Sequence, residues 1–97
     1  MQRVELRQQF EEEAAEARDW YDAQRPGLGD RFLDAVEATI DRVAELLLSF
    51  PRVDGETRWA RVQRFPYAIY YQVREDYILV VAIVHSSRHP DRWRSRS

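Results

Sequence analysis

The feature that most constrains this chain's fold is a change of hydrophobic period near Arg58. Before it, apolar residues recur at helical spacing. Phe10, Ala14, Ala17 and Tyr21 fall at i, i+4, i+7 and i+11, with Glu11, Glu12, Glu13, Glu16 and Asp19 between them. Phe32, Val36, Ile40, Val43, Leu47 and Phe50 repeat the pattern. Each set forms one apolar face of an amphipathic helix. After Arg58 the period is two, the signature of half-buried strands.

The boundaries follow from the breakers. The first helix is expected from about Gln8 to Gln24, stopped by Pro26-Gly27. A second opens at Gly29 or Asp30 and is ended by Pro51, so the two make a helical hairpin. Val4 and Leu6 alternate with charged residues and suggest a short first strand. Residues 52–57, with Asp54-Gly55, read as a polar loop. Arg58 to Arg64 and Tyr67 to Arg74 read as strands, and Glu75-Asp76 as a tight turn. Tyr77 to His85 is nearly all apolar, as expected of a central strand covered on both faces. The tail from Pro90 to Ser97 is polar and Arg-rich apart from Trp93 and is expected to end loosely.

The order is β-α-α-β-β-β, an α+β fold. The N-terminal helical hairpin should rest on one face of a small, mainly antiparallel sheet. Arg and Tyr side chains should line the other face. With 97 residues and 44% hydrophobic content, the chain reads as a single domain over residues 1–97.

Composition removes several classes. There is no Cys, hence no disulfide or thiolate metal site. The run from Tyr77 to Val84 is far short of a membrane span, and the N-terminus has no apolar signal core. The expected setting is a soluble, cytoplasmic protein. Residues 1–50 carry 6 Arg against 12 acids, a net −6; residues 51–97 carry 9 Arg against 5 acids, a net +4. The basic half reads either as a neighbour for acidic helices or as a surface for an anionic partner. Every basic residue other than the two His is Arg, so no Lys is present as a general base or Schiff-base former.

An ordered set of residues now stands out: Trp20-Tyr21, Pro26-Gly27-Leu28-Gly29 with Phe32, Pro51, Arg58, Arg64-Phe65-Pro66-Tyr67, Tyr71, and His85 with Arg88, Pro90 and Trp93. Together they resemble the ParE/RelE superfamily, the toxins of bacterial type II toxin–antitoxin modules, and most of all its ParE-like, plasmid-stabilisation branch. The resemblance spans nearly the whole chain. It implies a small toxin neutralised in a heteromeric complex by a cognate antitoxin. ParE-type members block DNA gyrase without a catalytic triad. RelE-type members cleave mRNA on the ribosome with Lys- and Arg-rich sites and a C-terminal Tyr or His. This chain has no Lys and no Tyr after Tyr77, a departure from the RelE pattern. A third reading keeps the fold as a binding module without toxicity.

If the chain were a ribonuclease, His85 would be the proton carrier, with Arg64 and Arg88 as cations on the phosphate and Glu56 the nearest carboxylate. The competing reading has His85 capping its strand by bonding to the Ser86-Ser87-Arg88 turn. For partner binding the candidates are Arg58, Arg61, Arg64, Tyr70, Arg74, Arg88 and Trp93. Arg61 and Arg64, three apart on a strand, should point to opposite faces. Arg58 should tether its loop to a helix carboxylate. Phe65, Tyr67 and Tyr71 read as core rather than base-stacking groups, and Trp20-Tyr21 and Trp93 as core and edge contacts. His85 and His89 lie in a turn context without clustered acids, so no metal or other cofactor is expected.

Overall fold

A computed structural model describes residues 3–88; His89, Pro90 and Trp93 lie outside them. Strand β1 (Arg3–Leu6) leads into helix α1 (Gln8–Gln24) and helix α2 (Leu28–Glu45). Four strands follow: β2 (Arg52–Asp54), β3 (Thr57–Arg61), β4 (Tyr67–Val73) and β5 (Tyr77–His85). A 3-10 turn at Ser86–Arg88 closes the described chain. The sheet order is β1-β5-β4-β3-β2, with β1 parallel to β5 and the other neighbours antiparallel. The α+β architecture is the expected one with an added edge strand, β2, where a polar loop was expected. Only three residues long and capped by Asp54-Gly55, it carries no period to be read; pairing with β3 makes it a strand.

Helix α1 runs as its pattern dictates. Phe10, Ala14 and Ala17 are buried, and Tyr21 continues the stripe. Trp20, one residue and about 100° away, is 59% exposed and not part of the core. The helix also completes the sheet. β1 ends opposite Val80, where the Arg7 N–H reaches the Val80 carbonyl at 2.9 Å. Beyond that point the Ile83 N–H donates instead to the Glu13 carboxylate at 3.2 Å, so a strand donor is satisfied from the helix.

The junction between the helices rests on one side chain. Gly27 precedes α2 at φ 90°, a left-handed conformation that glycine adopts freely, and it supplies no cap of its own. The Asp22 carboxylate fills that role from α1, accepting the N–H groups of Gly27 at 3.0 Å and Gly29 at 3.2 Å. Gly29 permits the close crossing that this requires. A Cβ there would stand 2.7 Å from the Arg18 carbonyl oxygen. The helix therefore opens at Leu28, just ahead of the expected start.

Helix α2 stops at Glu45 rather than running to Phe50. The reason is tertiary. The Leu47 carbonyl accepts the Tyr71 hydroxyl at 2.8 Å, and the Phe50 and Leu48 carbonyls accept Arg58 Nη1 at 2.6 and 3.3 Å. Carbonyls turned toward the sheet cannot continue a helix. Pro51 adds to this by excluding the helical conformation at Phe50.

Helix α1 lies over β5 and α2 over β3. Between them and the sheet sits one core, built on Phe10, Phe32, Val43, Ile69, Tyr71 and Ile78. On β5 only Ile78, Val80 and Ile83 are buried; Tyr77, Leu79 and Val84 are half-buried, so the strand is not enclosed on both faces as its run of apolar residues suggested. Among the described residues no helix covers that second face. An irregularity opposite Tyr70/Tyr71 pairs Tyr70 with Ala82 and Tyr71 with Val80, leaving Val81 as the extra residue.

Candidate functional site

The Arg64-Phe65-Pro66-Tyr67 segment is the β3–β4 connection. β3 ends at Arg61, Val62 N–H bonds to the Tyr67 carbonyl at 2.9 Å, and the Tyr67 N–H turns back to the Phe65 carbonyl at 2.8 Å. Arg64 takes φ 72° at the tip of this turn. It is the one non-glycine described residue in the left-handed region, where an L-residue stores about 1 kcal/mol of strain. Arg61 and Arg64 are thus not two positions on one strand. Arg61 lies on the sheet face away from the helices, paired with Ala68, and Arg64 stands on a loop.

Phe65 and Tyr67 form an aromatic cluster with Tyr21 and Phe32. Ring centroids lie 4.9 Å apart for Tyr21–Phe65, 5.2 Å for Phe32–Phe65 and 5.3 Å for Phe32–Tyr67. These rings lock the turn to both helices, so they are structural groups as expected. Burial, and to a lesser degree the neighbouring Tyr67, raises the Tyr21 pKa above its ordinary range.

Packing the turn against α2 leaves a cleft of about 750 Å³. Its α2 wall is Leu28, Arg31, Ala35, Ala38 and Arg42, one helical stripe. The opposite wall is Gln63 to Pro66. Arg42 is held in place: its Nη2 donates to the Arg61 carbonyl at 3.0 Å and to Thr39 Oγ1 at 3.4 Å. The side chains of Arg31 and Arg64 make no ion pair or hydrogen bond with the described residues. Asp34 is the one carboxylate in the lining. Three guanidinium groups, two of them unengaged, therefore surround a floor of small aliphatic groups.

The other candidates do not line this cleft. His85 sits on the helix side of β5, its ring 5.2 Å from Tyr67 in a T-shaped contact. Its Nδ1 accepts the Ser87 N–H at 3.1 Å and lies 2.8 Å from Ser87 Oγ. This is the strand-capping contact with the following turn. With Nδ1 an acceptor, the neutral ring carries its proton on Nε2. Arg88 is exposed in that turn, and neither it nor His85 lines the cleft that holds Arg64. Glu56 cannot join them. It precedes Thr57, which pairs with Gln72, whereas His85 pairs with Tyr67. Five residues of β4 separate these positions by about 17 Å. Glu56, in the β2–β3 turn, instead lies 3.8 Å from Nη1 of Arg74 at the β4–β5 turn, and Arg74 Nη2 also donates to Gln72 Oε1.

Arg58 faces the helices and holds main-chain carbonyls, not a helix carboxylate as expected. Tyr70 is half-buried on the face away from the helices, where burial raises its pKa. Trp93 lies outside the described residues. No group of three or more His, Asp or Glu among the described residues is placed to hold a metal ion. Arg31 and Arg42 escaped the sequence reading, although their i, i+11 spacing with Ala35 and Ala38 between them was a signal.

Residues 4–90 match the family described as the ParE toxin of the type II toxin–antitoxin system parDE. The chain belongs to the ParE toxin family. Its fold is similar to that of a chain from a chromosomal ParDE toxin–antitoxin system of P. aeruginosa, with TM-score 0.66 and 16% identity over 88% of this chain and 96% of that one. It is also similar to the solution structure of HP0894, a conserved hypothetical protein of Helicobacter pylori, with TM-score 0.59 and 16% identity over 90% and 97% of the two chains. No curated protein matches it in sequence. As a member of this family it is the toxin of a type II toxin–antitoxin system, and the family implies an antitoxin partner in a heteromeric complex. No described helix of this ParE-family toxin is long and apolar enough to cross a membrane.

Proposed function

We propose that this toxin arrests growth by binding a protein target in the cytoplasm, DNA gyrase being the target the ParE family suggests, and that its cognate antitoxin prevents this. The observation that carries the reading is that the second proton carrier a ribonuclease would need stands far from His85. A ribonuclease of this fold needs a proton carrier and cations converging on one phosphate. Here His85 Nδ1 is held by Ser87, and Glu56 stands beside the far end of β4, about 17 Å along the strand from His85. A binding surface requires no such convergence.

Expression of the toxin without its antitoxin tests this. Growth arrest with intact mRNA, an SOS response, and unchanged toxicity in His85→Ala are the expected results. Ribosome-dependent mRNA cleavage lost in His85→Ala would establish the ribonuclease reading instead. Growth without arrest would leave a non-toxic binding module.

A further inference from the structure

We propose that the cleft between α2 and the β3–β4 turn receives an acidic, aliphatic peptide segment of the antitoxin, gripped by Arg31 and Arg64. This rests on the reading of the chain as a toxin with an antitoxin partner. The argument begins with charge. Arg31, Arg42 and Arg64 face one carboxylate, Asp34, so the cleft is basic although it lies beside the acidic half of the chain. Arg31 and Arg64 have no partner among the described residues, and a guanidinium fork is matched best by a carboxylate. Arg42 is fixed by the Arg61 carbonyl and supplies a stationary charge at the cleft's end.

The floor argues for a peptide. Leu28, Ala35 and Ala38 offer an aliphatic trough, and 750 Å³ is room for several side chains. The turn adds a conformational argument. Arg64 keeps a left-handed φ at a position where glycine would be relaxed, and residues so held concentrate at binding sites. The strained residue is the one that carries a free guanidinium into the cleft.

The test measures affinity of the intact toxin for the antitoxin encoded beside its gene by calorimetry at 50 and 300 mM NaCl. Arg31→Gln and Arg64→Gln should each weaken the complex by about fivefold at low salt and reduce its salt dependence. Arg52→Gln, at the exposed sheet edge, should leave affinity unchanged. Arg64→Gly separates binding from structure: it should melt no lower than the wild type yet lose the same fivefold. Ala38→Trp, filling the trough from an exposed position, should weaken the complex further. A tight complex indifferent to all four cleft substitutions would overturn the cleft assignment while leaving the antitoxin partnership intact. Displacement of the antitoxin by a single-stranded oligonucleotide in an Arg31- and Arg64-dependent manner would also overturn it. Failure of the wild-type toxin to bind the antitoxin at all would overturn the partnership and the cleft together.

Discussion

Replacing Tyr71 with Phe should produce a stability change that reverses sign with pH. Tyr71 is fully buried on β4, and its hydroxyl donates to the Leu47 carbonyl at 2.8 Å. Near neutrality, Tyr71→Phe removes this bond and strands a carbonyl in the turn after α2, costing about 1 kcal/mol. In a domain of this size that lowers Tm by about 4–8 °C. At high pH the balance changes. Burial pushes the Tyr71 pKa up from 10 to about 12, the nearby Arg58 guanidinium opposing the rise. Above pH 10 the unfolded chain releases a proton that the folded chain retains. The unfolded state then binds fewer protons, so wild-type stability falls as pH rises, by about 1.4 kcal/mol per unit between pH 10 and 12. Phe has no proton to lose. The two stability curves should cross near pH 11, with Tyr71→Phe the more stable above it. Urea unfolding from pH 7 to 11.5, with wild type and variant compared at each pH, reads this directly. Tyr21 and Tyr70 cancel in the difference. A gap that stays constant across the range would refute the coupling between burial and proton retention.

Other substitutions test the joints of the fold. Asp22→Ala should cost about 2 kcal/mol in urea unfolding, because it leaves the Gly27 and Gly29 N–H groups without their acceptor and takes a negative charge from the start of α2. Gly29→Ala should cost about 2 kcal/mol despite Ala's better helix propensity, since its Cβ meets a main-chain oxygen at 2.7 Å; a rise in Tm would show that the helices can part at no cost. Arg58→Gln should cost about 2 kcal/mol by freeing the Phe50 and Leu48 carbonyls, and its hydrogen exchange should quicken first between residues 46 and 51.

The helical hairpin and the strands β3, β4 and β5 were legible because periodicity is a local property. A stripe at i, i+4, i+7 can be buried only by a helix, and alternation only by a strand. The same alternation put Ile69 and Tyr71 on the core-facing side of β4, while Phe65 and Tyr67 pack against that core from its edge. What escaped was set by contacts between distant segments. Strand β2 exists because β3 lies beside it. α2 ends early because Tyr71 and Arg58, more than twenty and about ten residues downstream of the carbonyls they hold, claim those carbonyls. Arg58 looked like a carboxylate partner because charge is visible in a sequence and main-chain acceptors are not.

The candidate site divides in the same way. By itself the sequence determined the α+β class, the core stripes, the ParE-like resemblance and a pool of arginines without a Lys among them. Only the tertiary structure decided which arginines share a surface. Arg61 turns to the open face of the sheet, Arg58 is consumed inside, Arg74 stays at the β4–β5 turn beside Glu56, and Arg64 meets Arg31 and Arg42 across a cleft. The physical reason is that spacing along a chain fixes direction only within one helix or strand. Where elements meet, direction is set by the turn that joins them, and here that turn places Arg64 at a left-handed φ facing α2.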